Sequence, residues 1–98
     1  MLLLAGAMCV PAAARAAPRR TPTETAETKR ERARKIFGQA EIQYNLGRFA
    51  RALTLYDKAY QVLPLPGFLF NIGQCHRHLR NYERALFFYE GFLRETPD

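Results

Sequence analysis

The chain repeats itself. Aligned on itself with Phe49 set against Tyr82, it brings Ala52, Leu53, Tyr56, Leu63 and Pro64 onto Ala85, Leu86, Tyr89, Thr96 and Pro97. The shared core is aromatic-x-x-Ala-Leu-x-x-Tyr, and each copy closes on a Pro. A chain built this way folds as one unit used twice, so the physics of a single unit has to explain both copies.

Within each copy the apolar residues step by three and four. Phe49, Ala52, Leu53, Tyr56, Ala59, Tyr60 and Leu63 form one broad stripe, and Tyr82, Ala85, Leu86, Tyr89, Phe92 and Leu93 form its counterpart. That spacing puts one apolar face on a helix. Upstream, Ile36, Ala40 and Tyr44 make a second stripe, matched by Leu69, Ile72, Gly73 and His76. Each copy is therefore predicted to be two helices. The first breaks at Leu46-Gly47-Arg48, where Gly47 can take the left-handed backbone that ends a helix. The second breaks at Leu79-Arg80-Asn81, where Asn81 can cap the helix that follows. Pro64, Leu65, Pro66 and Gly67 separate the copies, because Pro cannot continue a helix but fits its first turn. Ala40, Ala52, Gly73 and Ala85 are small where paired helices must cross closely. The predicted fold class is all-α: two antiparallel helix pairs in a solenoid segment.

The remaining sequence does not look like core. All twelve aromatic residues lie between Phe37 and Phe92, whereas residues 1–17 hold fourteen apolar side chains and no acid. The opening MLLLAGAMCV and the small-x-small run Ala14-Arg15-Ala16 read as a secretory leader, 1–17, cleaved after Ala16 or Ala17. It is too short to span a bilayer, which takes about 20 residues. No basic residue precedes its apolar run, so the true start is expected upstream. Transit to an organelle fits less well, because the front of the segment is apolar rather than amphipathic. Residues 18–28 have the composition of a polar linker. Thr21-Pro22-Thr23-Glu24 and Thr28-Lys29-Arg30-Glu31 both have capping-box form, with ordered core expected from about Lys29. The repeats then occupy 29–98.

The net charge of +6 is misleading. Eight of the fifteen basic residues lie from Arg15 to Lys35, and from Ile36 onward seven basic residues meet six acidic ones. The basic run is broken by Glu27 and Glu31 and has no interleaved aromatic for base stacking, so no nucleic-acid partner is expected. Cys75-His76-Arg77-His78 looks like a metal cluster, but no further His follows or precedes it and the other Cys, Cys9, is in the leader. A four-ligand site cannot be completed within the processed chain, and no metal or other cofactor is expected. Cys75 and His76 read as core and His78 as outward. With no Ser, isolated carboxylates and no phosphate loop, the chain is not expected to be an enzyme.

These repeats resemble the tetratricopeptide repeat. Leu69, Ile72, Gly73, Ala85, Tyr89 and Pro97 carry the resemblance in the second copy, and Ile36, Ala40, Ala52, Tyr56, Ala59 and Pro64 in the first. The units run about 33–65 and 66–98, departing from the pattern at Gln39, Gln43, His76 and Phe92. The resemblance implies a protein or peptide partner held in a concave groove lined by the first helix of each pair. Phe37, Glu41, Tyr44 and Asn45, with Asn71, Gln74, Arg77 and His78, are the candidate lining, alongside Arg34, Gly38 and Phe70. Asn71 stands where many members place an Asn that pairs with a peptide backbone. Phe37 and Glu41 stand where the carboxylate-clamping subgroup has Lys and Asn, so no carboxylate clamp is expected. Similarity to exported bacterial repeat proteins implies a periplasmic or secreted location.

Stacked units need about three copies and a polar closing helix. Phe87, Phe88 and Phe92 are therefore expected on an open end, through which the chain pairs or meets further repeats. Two other readings compete with an exported interaction module: electrostatic binding of an anionic polymer or membrane surface by residues 15–35, and a structural fragment without a ligand.

Overall fold

A computed structural model describes residues 24–97. The segment 1–17 expected to be a leader, and the first part of the expected linker, lie outside the described residues. Four helices follow in order: α1 (Ala26–Asn45), α2 (Phe49–Val62), α3 (Pro66–His78) and α4 (Tyr82–Glu95). α1 packs on α2, α2 on α3 and α3 on α4, so the fold is the expected all-α pair of helical hairpins.

The register of the sequence repeat is the register of the backbone. α2 and α4 begin at the matched residues Phe49 and Tyr82 and end at the matched residues Val62 and Glu95. α1 and α3 likewise end on a matched pair, Asn45 and His78. Both inner turns close in the same way. The Gly47 N–H donates to Tyr44 O at 2.9 Å and the Arg48 N–H to Gln43 O at 2.8 Å. In the second copy Arg80 donates to Arg77 O at 3.0 Å and Asn81 to His76 O at 2.8 Å. This is the Schellman arrangement, which requires a left-handed residue just past the helix. Gly47 supplies it with φ 77°, and Arg80 supplies it with φ 64°. Asn81 starts α4 but makes no side-chain cap bond, contrary to expectation. Its own N–H is used to close the preceding turn, and with φ −97° and ψ 76° it lies outside the extended region typical of caps.

The first helix also starts differently from expectation. The Thr28 capping box does not start the helix, and the Thr21 box lies largely outside the described residues: Thr25 is the N-cap, and its Oγ1 accepts from the Thr28 N–H at 3.1 Å. α1 thus begins at Ala26, ahead of Lys29. Glu24 is drawn away from any capping role by Arg32, whose Nε and Nη2 donate to its two oxygens at 2.9 and 2.8 Å. That bidentate bond holds the Glu24 carboxyl below its ordinary range. Arg32 is exposed and Glu24 only partly covered, so the pair adds little to stability.

The core runs along the hairpin contacts. Ala40, Ala52, Tyr56, Ile72 and Cys75 form one buried cluster, and Ala33, Ala59 and Phe68 form another. The small residues are small for the expected reason. A Cβ on Gly73 would lie 2.8 Å from the Tyr89 ring and 3.3 Å from the Ala85 carbonyl oxygen. α3, packed against α2 and α4, carries six buried residues, whereas α2, packed against α1 and α3, carries three.

Candidate partner-binding groove

The candidate residues of α1 and α3 fall into two groups, one at each end of the surface these helices share. At the C-terminal end, the Tyr44 hydroxyl lies 2.9 Å from His78 Nε2 across the two repeats. Phe49, the first residue of α2, stacks flat on the His78 ring with centroids 4.1 Å apart at 4°. Tyr44 meets Phe49 edge-on at 5.1 Å. An aromatic and an imidazole locked in this way contribute packing and one polar contact at once. Arg77 Nε donates to Gln74 Oε1 at 3.4 Å, and Tyr89 also donates its hydroxyl to that oxygen. The Gln74 carbonyl is therefore used from two sides. Burial raises the Tyr44 hydroxyl above its ordinary range, with the Arg77 charge opposing the shift.

At the N-terminal end, Arg30, Arg34, Phe37, Leu63, Leu65 and Phe68 surround a hollow of roughly 480 Å³. Its floor is apolar and its rim carries two guanidinium groups. Phe37 is only partly available: it packs on Phe68 at 5.4 Å and edge-on to Tyr56 at 5.5 Å. Glu41 is exposed on α1 between the two groups, and Asn45 is exposed at the C-terminal end of the helix. Asn71 donates its amide to Gly67 O of its own helix at 3.1 Å, which leaves its acceptor oxygen as the outward function.

Sequence reasoning missed Phe49, Arg30, Leu63, Leu65, Phe68 and Tyr89. Arg30 could have been found, because it shares a helix face with Arg34 and Phe37. Phe49 could not, since its stripe position marks it as core.

Cys75, His76 and His78 diverge. Cys75 is fully buried among Ala40, Ala52, Tyr56 and Ile72, and burial pushes its thiol up to about 11. His76 is buried and stacks on Phe88 at 5.4 Å and 10°. Burial, helped by the Arg84 charge, lowers its pKa. Its Nδ1 has no partner. Among the described residues no three His, Cys, Asp or Glu side chains converge on a metal-sized space.

The expected open-end trio is split. Phe87 is 57% exposed, as is its neighbour Leu86. Phe88 folds onto His76 and lies under the Arg84 guanidinium at 5.5 Å, while Phe92 packs on Phe70 at 5.5 Å. Phe87 and Phe88 still meet edge-on, with ring centroids 5.2 Å apart, so Phe87 is the exposed member of a pair whose other ring is partly covered.

No described helix is long and apolar enough to cross a membrane. The family profile of the tetratricopeptide repeat matches residues 68–98. Protein CTR9 homolog of Arabidopsis thaliana is 35% identical over 65 residues, which covers 64% of this chain and 6% of that protein. The chain therefore spans only a small part of that relative. No solved structure matches it. The matched segment takes in α3 from Phe68 onward and all of α4, whose register α1 and α2 repeat, so the chain is similar to the tetratricopeptide repeat proteins.

Proposed function

We propose that the chain is an exported interaction module that holds an extended partner segment along α1 and α3. Repeats of this family generally mediate protein–protein interaction, and the family is typically non-enzymatic. The observation that carries the reading is the Tyr44–His78–Phe49 cluster, which locks the two repeats together at one end of that surface. Beside it, Arg77 and the Gln74 amide are placed to meet a carboxylate and a backbone carbonyl. At the other end, the hollow between Arg30 and Arg34 suits an apolar side chain followed by an acid. The partner is thus an extended segment of mixed apolar and acidic character. Export rests on the composition of residues 1–17. Binding of an anionic surface by residues 15–35 is less favoured, because Arg32 is already engaged by Glu24.

Peptides selected from a random library on the whole chain provide the probe. Arg34→Ala and Arg77→Ala should each weaken a selected acidic peptide about tenfold, in line with loss of a charge-assisted contact, while Lys58→Ala on α2 should not. Equal binding to all three variants would overturn the groove reading. Fusing residues 1–28 to a phosphatase that is active only outside the cytoplasm tests export separately. An inactive fusion would remove it.

A further inference from the structure

The four described helices present two unlike outer faces, and their internal junction shows how such faces fit. In that junction α3 lies in the cleft of α1 and α2. Phe68 enters beside Ala33 and Ala59, while Ile72 and Cys75 meet Ala40, Ala52 and Tyr56. Advancing this cleft by one repeat gives the cleft of α3 and α4, where Phe70, Tyr89, Phe92 and Leu93 line an apolar hollow of roughly 250 Å³. Leu93 is 70% exposed there. Moving the α3 face back by one repeat gives the outer face of α1: Lys35, Gln39 and Ile42, with Leu46 beyond. Ile42 and Leu46 are exposed, although Ile42 is the counterpart of the fully buried Cys75. The two outer faces are thus the counterparts of two surfaces that already fit each other.

Their differences are reciprocal. Inside the molecule a large knob, Phe68, meets a small seat, Ala59. On the open cleft the seat is large, Phe92, and the corresponding knob on α1 is Lys35, a slim stem that can pass it. The Lys35 ammonium would then lie beside Glu95, the counterpart of Val62. On the neighbouring side, Arg84 of α4 and Asp57 of α2 line one hollow across the internal junction. Their counterparts on the outer faces are Arg51 and Glu90, both exposed and again of opposite sign.

We propose that copies of this chain stack head to tail, the α1–α2 face of one copy seating in the α3–α4 cleft of the next, so that the repeat continues between molecules. The contact uses the end faces and is independent of the groove reading. It is heterologous, so every added copy leaves a fresh cleft and a fresh α1 face, and growth does not stop at two.

Sedimentation equilibrium of the full chain at low ionic strength tests it. The mean mass should rise with concentration past that of a dimer. Arg51→Glu and Glu90→Arg each set like charges across the contact and should weaken association about tenfold. The double variant Arg51→Glu/Glu90→Arg should restore it, with unchanged helical circular dichroism throughout. A monomer at every concentration would overturn the proposal and leave the cleft to another protein's helix. So would a mass that levels off at two chains, which marks a symmetric dimer. Association indifferent to the charge swap, as expected of clumping through residues 1–17, would overturn it as well.

Discussion

The two helix pairs have the same backbone and different neighbours. The cleft of the first pair is filled by α3, and its seat is Ala59, fully buried. The cleft of the second pair is open, and at the same position it carries Phe92, half-buried against Phe70. Repetition thus dictates the path of the chain, whereas the side chain at each position answers to what lies on the far side of it. A sequence repeat read without its neighbours predicts helices well and surfaces poorly.

The strongest way to break this comparison is to move a residue from one pair to the other. Ala59→Phe puts the second pair's residue where Phe68 docks and should cost about 3 kcal/mol, the upper range for overpacking. Phe92→Ala removes a half-buried ring from an open cleft and should cost about 1 kcal/mol, well below the figure for a core aromatic. Urea unfolding measures both, and equal losses would show that the clefts are not differently filled. A smaller effect comes from the inner turns. Arg80 holds the left-handed backbone that Gly47 holds in the first pair. Arg80→Gly should therefore raise stability by about 0.5–1 kcal/mol, and Gly47→Arg should lower it by a similar amount. If Arg80→Gly is destabilising instead, that side chain contributes more than its strained backbone costs.

The finest distinction is one of slope. His76 has its pKa lowered from 6.5 by burial, whereas its first-pair counterpart Gln43 does not titrate. The unfolded chain binds a proton to this His more readily than the folded one. Stability attributable to it is full above pH 6.5 and is lost as the pH falls below that value toward the depressed folded pKa. Unfolding midpoints measured down that range should fall in the wild type. In His76→Phe that part of the fall should vanish while the stack on Phe88 is kept. An identical pH profile in the variant would place the proton elsewhere.

Most of the fold was legible because it is encoded locally. Apolar spacing, Pro64 and Pro66, and Gly47 mark helices and turns within a few residues of themselves. The start of α1 was not legible, because Thr25 caps it without a capping box: the residue three places on is Thr28, not Glu or Gln. Asn81 misled because its backbone, at φ −97° and ψ 76°, departs from the extended shape that aims a capping side chain. Of the groove, Tyr44 and His78 could be placed on one surface by helical geometry. That Phe49 would lie flat between the repeats could not, because its stripe position says only that it is covered. The trio Phe87, Phe88 and Phe92 was read as one patch because α4 was expected to face a further unit; the contacts of Phe88 with His76 and of Phe92 with Phe70 were not legible, since they join α4 to residues of α3.

Cys75 gives the meeting of the two pairs a lifetime as well as a place. Its thiol is raised to about 11, so at neutral pH only about one molecule in ten thousand holds it as the reactive thiolate, and it is fully covered where α3 meets the first pair. No reagent reaches it until the pairs part. With a reagent that reacts faster than the pairs reclose, the rate of its modification is the rate of opening; with a slower one it follows the fraction of molecules that stand open.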